Sequence, residues 1–171
     1  MRIPATETGG IEIALLGNFR ATPWPGRAIP ILGLVGMGIS GYLTYTGWRN
    51  LEPVCLPVSD CASVLASTYA RVGGIPLAAL GLAMYGVLTG LGLWLRATGS
   101  GARQGPVTLA MYVVALGGTL YSAYLFYLQL TEIHAFCTWC LASAAVVSAI
   151  LLLSIKQLFA LRKVPAQRPR S

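Results

Sequence analysis

The chain has 171 residues, twelve of them Lys or Arg and five Asp or Glu, while 56% are hydrophobic. Mean hydropathy is +0.69. A soluble domain carries about a quarter charged residues and disordered chains are richer still in charge, so a water-soluble domain is all but excluded and disorder is excluded outright. The net charge of +7 would suit a nucleic-acid binder only if the basic residues gathered on one polar face.

They do not gather; they punctuate. Four stretches are free of charge: Ala28 to Trp48 (21 residues), Val72 to Leu95 (24), Gln104 to Thr131 (28) and Ala135 to Ile155 (21). About 20 apolar residues in a helix span a hydrocarbon core of roughly 30 Å. Backbone groups in lipid must be satisfied within the segment, so each stretch is expected to be a helix. The expected fold is an all-α integral membrane protein, a bundle of four transmembrane helices near 28–48, 74–96, 107–130 and 137–158. The tetrad forms one domain over 28–158, with an N-terminal tail at 1–27, a basic tail at 159–171 and a long loop at 49–73. The first segment starts too late and lacks the small-residue exit site of a cleaved signal peptide. The residues before it read as a partly ordered, bland tail, with Trp24, between Pro23 and Pro25, as the candidate interfacial anchor.

Lys and Arg counts orient the bundle. The two tails and the connection between the second and third segments hold Arg2, Arg20, Arg27, Arg96, Arg103, Lys156, Arg162, Lys163, Arg168 and Arg170; the other side holds only Arg49 and Arg71. Ten against two places both termini in the cytoplasm and the 49–73 loop outside. Glycines at 33, 36, 38 and 41 in the first segment and at 81, 86, 90 and 92 in the second allow close helix packing where lipid supplies no hydrophobic drive.

The four cysteines then fall on one side. Cys55 and Cys61 lie in the outer loop, and Cys137 and Cys140 open the last segment. An even count in two close pairs, at the oxidising face, points to disulfide chemistry. Cys137-Thr138-Trp139-Cys140 puts residues i and i+3 on one helical face, and the positive end of the helix favours a thiolate there. Cys140 is expected one turn deeper, nearer the apolar interior. A structural disulfide or a soft-metal thiolate site stays open for the same motif, and His134 reads as an interfacial residue rather than a ligand. In the loop, Ser59 or Asp60 is expected to cap a short amphipathic helix from Cys61 to about Arg71, with Val64, Leu65, Tyr69 and Val72 on one face over the bundle mouth. A closed Cys55–Cys61 ring would constrain little of the unfolded chain, which suits a shuttle better than a staple.

Together these residues resemble the vitamin K epoxide reductase family. The match rests on Cys55…Cys61-Ala62-Ser63-Val64-Leu65-Ala66-Ser67, Gly74-Ile75-Pro76-Leu77 and Phe136-Cys137-Thr138-Trp139-Cys140, within about residues 28 to 160. The five residues between the loop cysteines are similar to the bacterial branch. The resemblance implies a membrane thiol–disulfide oxidoreductase of the bacterial inner membrane. Electrons from a thioredoxin-fold (DsbA-like) partner would enter at Cys55 and Cys61, pass to Cys137 and Cys140, and leave to a quinone of the menaquinone, ubiquinone or phylloquinone type. Cys140 would face the quinone, with Ser67 a polar neighbour and Tyr85, Trp139 and Leu77 lining the pocket; no metal is expected. Vertebrate members carry an Asn and a Tyr where ungapped alignment gives Leu77 and Ala144, so ordinary quinone reduction is favoured over epoxide reduction. Many bacterial members carry a fused thioredoxin-like domain, and a chain ending at Ser171 leads one to expect that partner in trans. Which cysteines are paired at rest stays open.

Two readings compete. A vitamin K epoxide or quinone reductase proper is the nearer alternative. A soft-metal carrier passing copper or mercury through thiolates is the more distant one, although Met37, Met84 and Met111 form no evident file with the cysteines. The other four-helix, quinone-coupled disulfide oxidase of bacteria places its Cys-x-x-Cys in the first outer loop, the reverse of the order here.

Overall fold

The computed structural model describes residues 24–55, 59–98 and 104–163. Residues 1–23 and 164–171 of the expected tails, the Trp24 side chain and Arg103 lie outside the described residues, while residues 24–27 and 159–163, expected in the tails, are helical. Four long helices dominate: α1 (Trp24–Arg49), α3 (Leu77–Thr98), α4 (Gln104–Leu128) and α5 (Thr138–Lys163). All four are long and apolar enough to cross a membrane. Between α1 and α3 lie a short helix α2 (Cys61–Ala66), a 3₁₀ turn at Thr68–Ala70, and a two-stranded hairpin of β1 (Arg71–Val72) and β2 (Ile75–Pro76). The strands pair antiparallel, with Arg71 opposite Pro76 and Val72 opposite Ile75.

The helices form a ring in which α1 packs on α3, α3 on α4, α4 on α5 and α5 back on α1. Ile29, Tyr85, Leu88, Met111, Ala115, Val147 and Ile150 make the central core. Large apolar side chains elsewhere, such as Leu34, Val87, Val113, Leu120 and Leu152, stay exposed, as expected of helices whose outer faces meet lipid rather than water. Several hydroxyls within the spans are satisfied by their own helix: Thr44 donates to Ser40 O at 2.7 Å, Thr89 to Tyr85 O at 2.8 Å and Ser154 to Ile150 O at 2.9 Å; the buried Thr108 hydroxyl has no such partner. That back-bonding removes the cost of a bare hydroxyl in lipid.

The glycines divide into two groups. A Cβ at Gly33 would overlap Thr89, and one at Gly36 would overlap the Tyr85 ring, so these two set the closeness of α1 and α3. Gly92 lets Ile29 and Pro30 approach within 3.4 Å of where its Cβ would stand. Gly38, Gly86 and Gly90 have nothing within 4 Å and fix no contact.

The loop departs from the sequence expectation. The helix opening at Cys61 stops at Ala66, five residues short of Arg71, because Ser67 turns extended (ψ 153°) while its N–H and hydroxyl both bond Val64 O. Tyr69 and Val72 therefore do not extend its apolar face; both are exposed. The hairpin that follows turns through Gly73 and Gly74, both at positive φ (58° and 84°), the backbone a tight two-residue hairpin requires. The third span also runs on past its α-helical part, through a π-helical turn at Gln129–Ile133 that ends on His134 in the left-handed region (φ 53°).

Candidate active site

All four cysteines meet at one end of the bundle. Cys61 and Cys137, both buried, form one cluster with Val64, and Cys55 and Cys140 pack against it. Cys55 and Cys61 are joined by a disulfide, whereas Cys137 and Cys140 are free thiols. The question of pairing left open by the sequence is answered in this structure by a bonded loop pair and a reduced Cys-x-x-Cys.

Backbone hydrogen bonds bring the two pairs together. Asp60 N–H, next to Cys61, donates to Phe136 O, next to Cys137, at 3.1 Å. Asp60 also caps α2: its carboxylate accepts from Ser63 N–H at 3.1 Å and from the Ser63 hydroxyl at 2.6 Å. Those bonds hold its carboxyl below the usual range. On the Cys55 side, Val54 is held by both peptide groups. Its N–H donates to Tyr42 Oη at 2.9 Å, and its carbonyl accepts from Trp139 Nε1 at 2.8 Å. The Tyr42 and Trp139 rings lie 5.2 Å apart at 49°. Arg71 adds a tie from the hairpin to the end of α1, donating to Gly47 O at 3.3 Å and Asn50 Oδ1 at 3.4 Å.

Cys137 stands just ahead of α5 and caps it. Its carbonyl accepts from Leu141 N–H at 3.0 Å, and its Sγ accepts from Cys140 N–H at 3.3 Å. Its own N–H donates to Gln129 Oε1 at 3.0 Å. The Cys140 thiol, helped by the N–H groups of Cys140 and Trp139, holds the Cys137 thiol below its ordinary pKa against the opposing effect of burial. A lowered thiol pKa at a helix N-terminus is the arrangement that makes a cysteine nucleophilic near neutral pH.

Beside this cluster lies a cavity of about 540 Å³, bounded by the long helices and by the loop above them. Cys140 lines it, as do Ser67, Leu77, Tyr85 and Ala144; Cys55, Cys61 and Cys137 do not. So the four sulfurs are ordered from the loop, through Cys137, to a thiol at the cavity wall.

Residues 27–155 match the vitamin K epoxide reductase family model. The chain belongs to the vitamin K epoxide reductase family. It is 32% identical over 122 residues to Thiol-disulfide oxidoreductase LTO1 of Arabidopsis thaliana, a match covering 68% of this chain and 32% of that protein. This member of the family thus spans about a third of that relative's length.

The sequence-predicted residues of this vitamin K epoxide reductase family member are placed as follows. Ser67, Tyr85 and Leu77 border the cavity, but both hydroxyls are engaged: Ser67 donates to Val64 O at 2.7 Å and Tyr85 to Ser143 O at 2.7 Å. Trp139 is not on the cavity wall. Its indole turns toward Val54 and the Tyr42 ring, on the loop side of α5. Leu77 and Ala144, aligned with polar positions of vertebrate members, leave the wall apolar at both points. Sequence reading missed Tyr42 and Gln129. Gln129 carried a signal, a long amide inside a charge-free apolar segment; Tyr42 carried none.

Proposed function

We propose that this protein is a membrane thiol–disulfide oxidoreductase that draws two electrons from a thioredoxin-fold dithiol partner and delivers them to a quinone. The observation that carries the reading is the spatial order of the thiols: a loop disulfide packed on Cys137, and Cys140 in the wall of the cavity. Cys55 and Cys61 act as the shuttle, Cys137 exchanges with the loop, and Cys140 faces the acceptor. Each exchange needs a thiolate attacking a disulfide. A reduced loop cysteine attacks Cys137 of the oxidised Cys137–Cys140 pair, and when the second loop cysteine closes the loop disulfide the lowered pKa of Cys137 makes it a good leaving thiolate. With the loop pair bonded and Cys137 and Cys140 reduced, the protein is poised after transfer from the loop and before delivery to the acceptor.

The cavity suits a quinone ring and the first part of its tail in size and in its mostly apolar wall. When bound, a quinone supplies a two-electron, two-proton acceptor. The chain contributes a mostly apolar pocket, the Cys140 thiol at its wall, and loop residues such as Ser67 and Arg71 bordering it. Leu77 and Ala144 favour quinone over epoxide, since an epoxide oxygen would meet no polar group at those points. The ten-to-two distribution of basic residues supports an inner-membrane orientation with both termini cytoplasmic and the cysteines on the oxidising side.

The test is quinol formation by the purified protein in lipid, with a reduced thioredoxin-fold protein as donor. Cys137→Ala and Cys140→Ala are expected to abolish it. Cys55→Ala and Cys61→Ala are expected to block the protein donor while a small dithiol still drives turnover. Normal turnover by Cys140→Ala would overturn the assignment.

A further inference from the structure

Gln129 is only 3% exposed, yet half of its amide is unused. Its Oε1 accepts from Cys137 N–H at 3.0 Å, while its Nε2 has no protein partner among the described residues. The side chain borders the cavity that Cys140 also lines. Nε2 is not fully enclosed, so this donor keeps some accessible surface where the residue borders the cavity and is free to meet a ligand there. Among the residues bordering the cavity, the hydroxyls of Ser67 and Tyr85 already give their hydrogens to backbone carbonyls. Gln129 is the one whose side chain is hydrogen-bonded to Cys137.

We propose that the Gln129 amide donates a hydrogen bond to a quinone carbonyl in this cavity while its oxygen holds Cys137 at the start of α5. The inference rests on the proposed function. Its chemistry follows from the electron count. As Cys137 and Cys140 join in a disulfide, two electrons and the two thiol protons leave the pair; the quinone gains both electrons and its two carbonyls become hydroxyls. Negative charge builds on a carbonyl oxygen along the way, and a fixed N–H donor in a water-poor site stabilises it there. The π-helical turn at Gln129–Ile133 is what places this side chain: the wider turn ends the third span and carries residue 129 against Cys137 as the chain reverses at His134.

The test measures binding and spectroscopy alongside turnover, using menadione and a short-chain ubiquinone as probes. In the wild-type protein, the infrared carbonyl stretch of the bound quinone is expected to shift to lower frequency than in hydrocarbon. Gln129→Met, similar in length but without the donor, is expected to weaken binding roughly three- to tenfold, the size of one net hydrogen bond, and to return the stretch toward the hydrocarbon value. A purely structural role would lower activity but leave the carbonyl shifted, so a shifted stretch in Gln129→Met overturns the proposal. An unshifted carbonyl in the wild-type protein overturns it without any variant, and so covers the case in which Gln129→Met fails to fold. Failure of the wild-type protein to bind or reduce either quinone would instead sink the proposed function itself.

Discussion

Trp139→Phe isolates one hydrogen bond in the contact that holds the loop disulfide to the Cys-x-x-Cys. The substitution keeps an aromatic ring beside Tyr42 and removes the donor to Val54 O, a bond of 2.8 Å at an exposed site. A neutral hydrogen bond of this kind contributes about 0.5–1.5 kcal/mol net. Taking about 1 kcal/mol, the ratio of seated to released loop falls roughly fivefold, since about 1.4 kcal/mol is a factor of ten. Hydrogen exchange reads that ratio directly, because Val54 N–H is protected only while it donates to Tyr42 Oη. Exchange at Val54 should accelerate about fivefold in Trp139→Phe by the same conversion. Asp60 N–H, bonded to Phe136 O, should accelerate in parallel if the loop leaves as a unit. Unchanged protection at both amides would refute the idea that Trp139 seats the loop. Acceleration at Val54 alone would show that the two ends of the disulfide ring move separately.

Cys137 should alkylate as a thiolate at lower pH than an ordinary cysteine. Its pKa is depressed in the folded protein, so the rate of iodoacetamide labelling should rise with pH and level off at a midpoint below that of the same thiol in denatured protein; an equal or higher midpoint would contradict the capping geometry. Among the α1 glycines, Gly36→Ala places a methyl into the buried Tyr85 ring and should destabilise by about 1–3 kcal/mol, as overpacking does. Gly38→Ala meets open space and should be neutral or stabilising by up to about 1 kcal/mol. Denaturant unfolding of the two variants in one detergent would show Gly36→Ala destabilised and Gly38→Ala not.

How far the site is legible in sequence depends on the range of the interaction. The Asp60 cap was readable because the carboxylate and Ser63 N–H are three residues apart. Cys137 and Cys140 were readable for the same reason, as neighbours on one turn. The early stop of α2 was not, because its apolar spacing through Tyr69 and Val72 continues past Ala66 while Ser67 bonds back to Val64 O. The glycine pattern named eight positions in α1 and α3, but only a partner helix decides that Gly36 faces Tyr85 and Gly38 faces open space. Trp139 was expected among the pocket residues, and its indole instead meets Val54, a partner 85 residues away that no local pattern announces.

What the sequence determined by itself is the solvent and the chemistry: a chain whose 17 charges all lie outside four long apolar segments must place those segments in lipid, and its four cysteines fall at one end. Both follow from quantities that are local or additive along the chain, namely hydropathy, charge and spacing. Tertiary structure decided the order of the sulfurs. The loop pair is seated on Cys137 by Asp60, Tyr42 and Trp139, and Cys140 alone of the four reaches the cavity. Gln129 meets Cys137 only because a π-helical turn and a left-handed His134 fold the chain back on itself. Such contacts depend on how helices pack and chains reverse, and no period in the sequence records them.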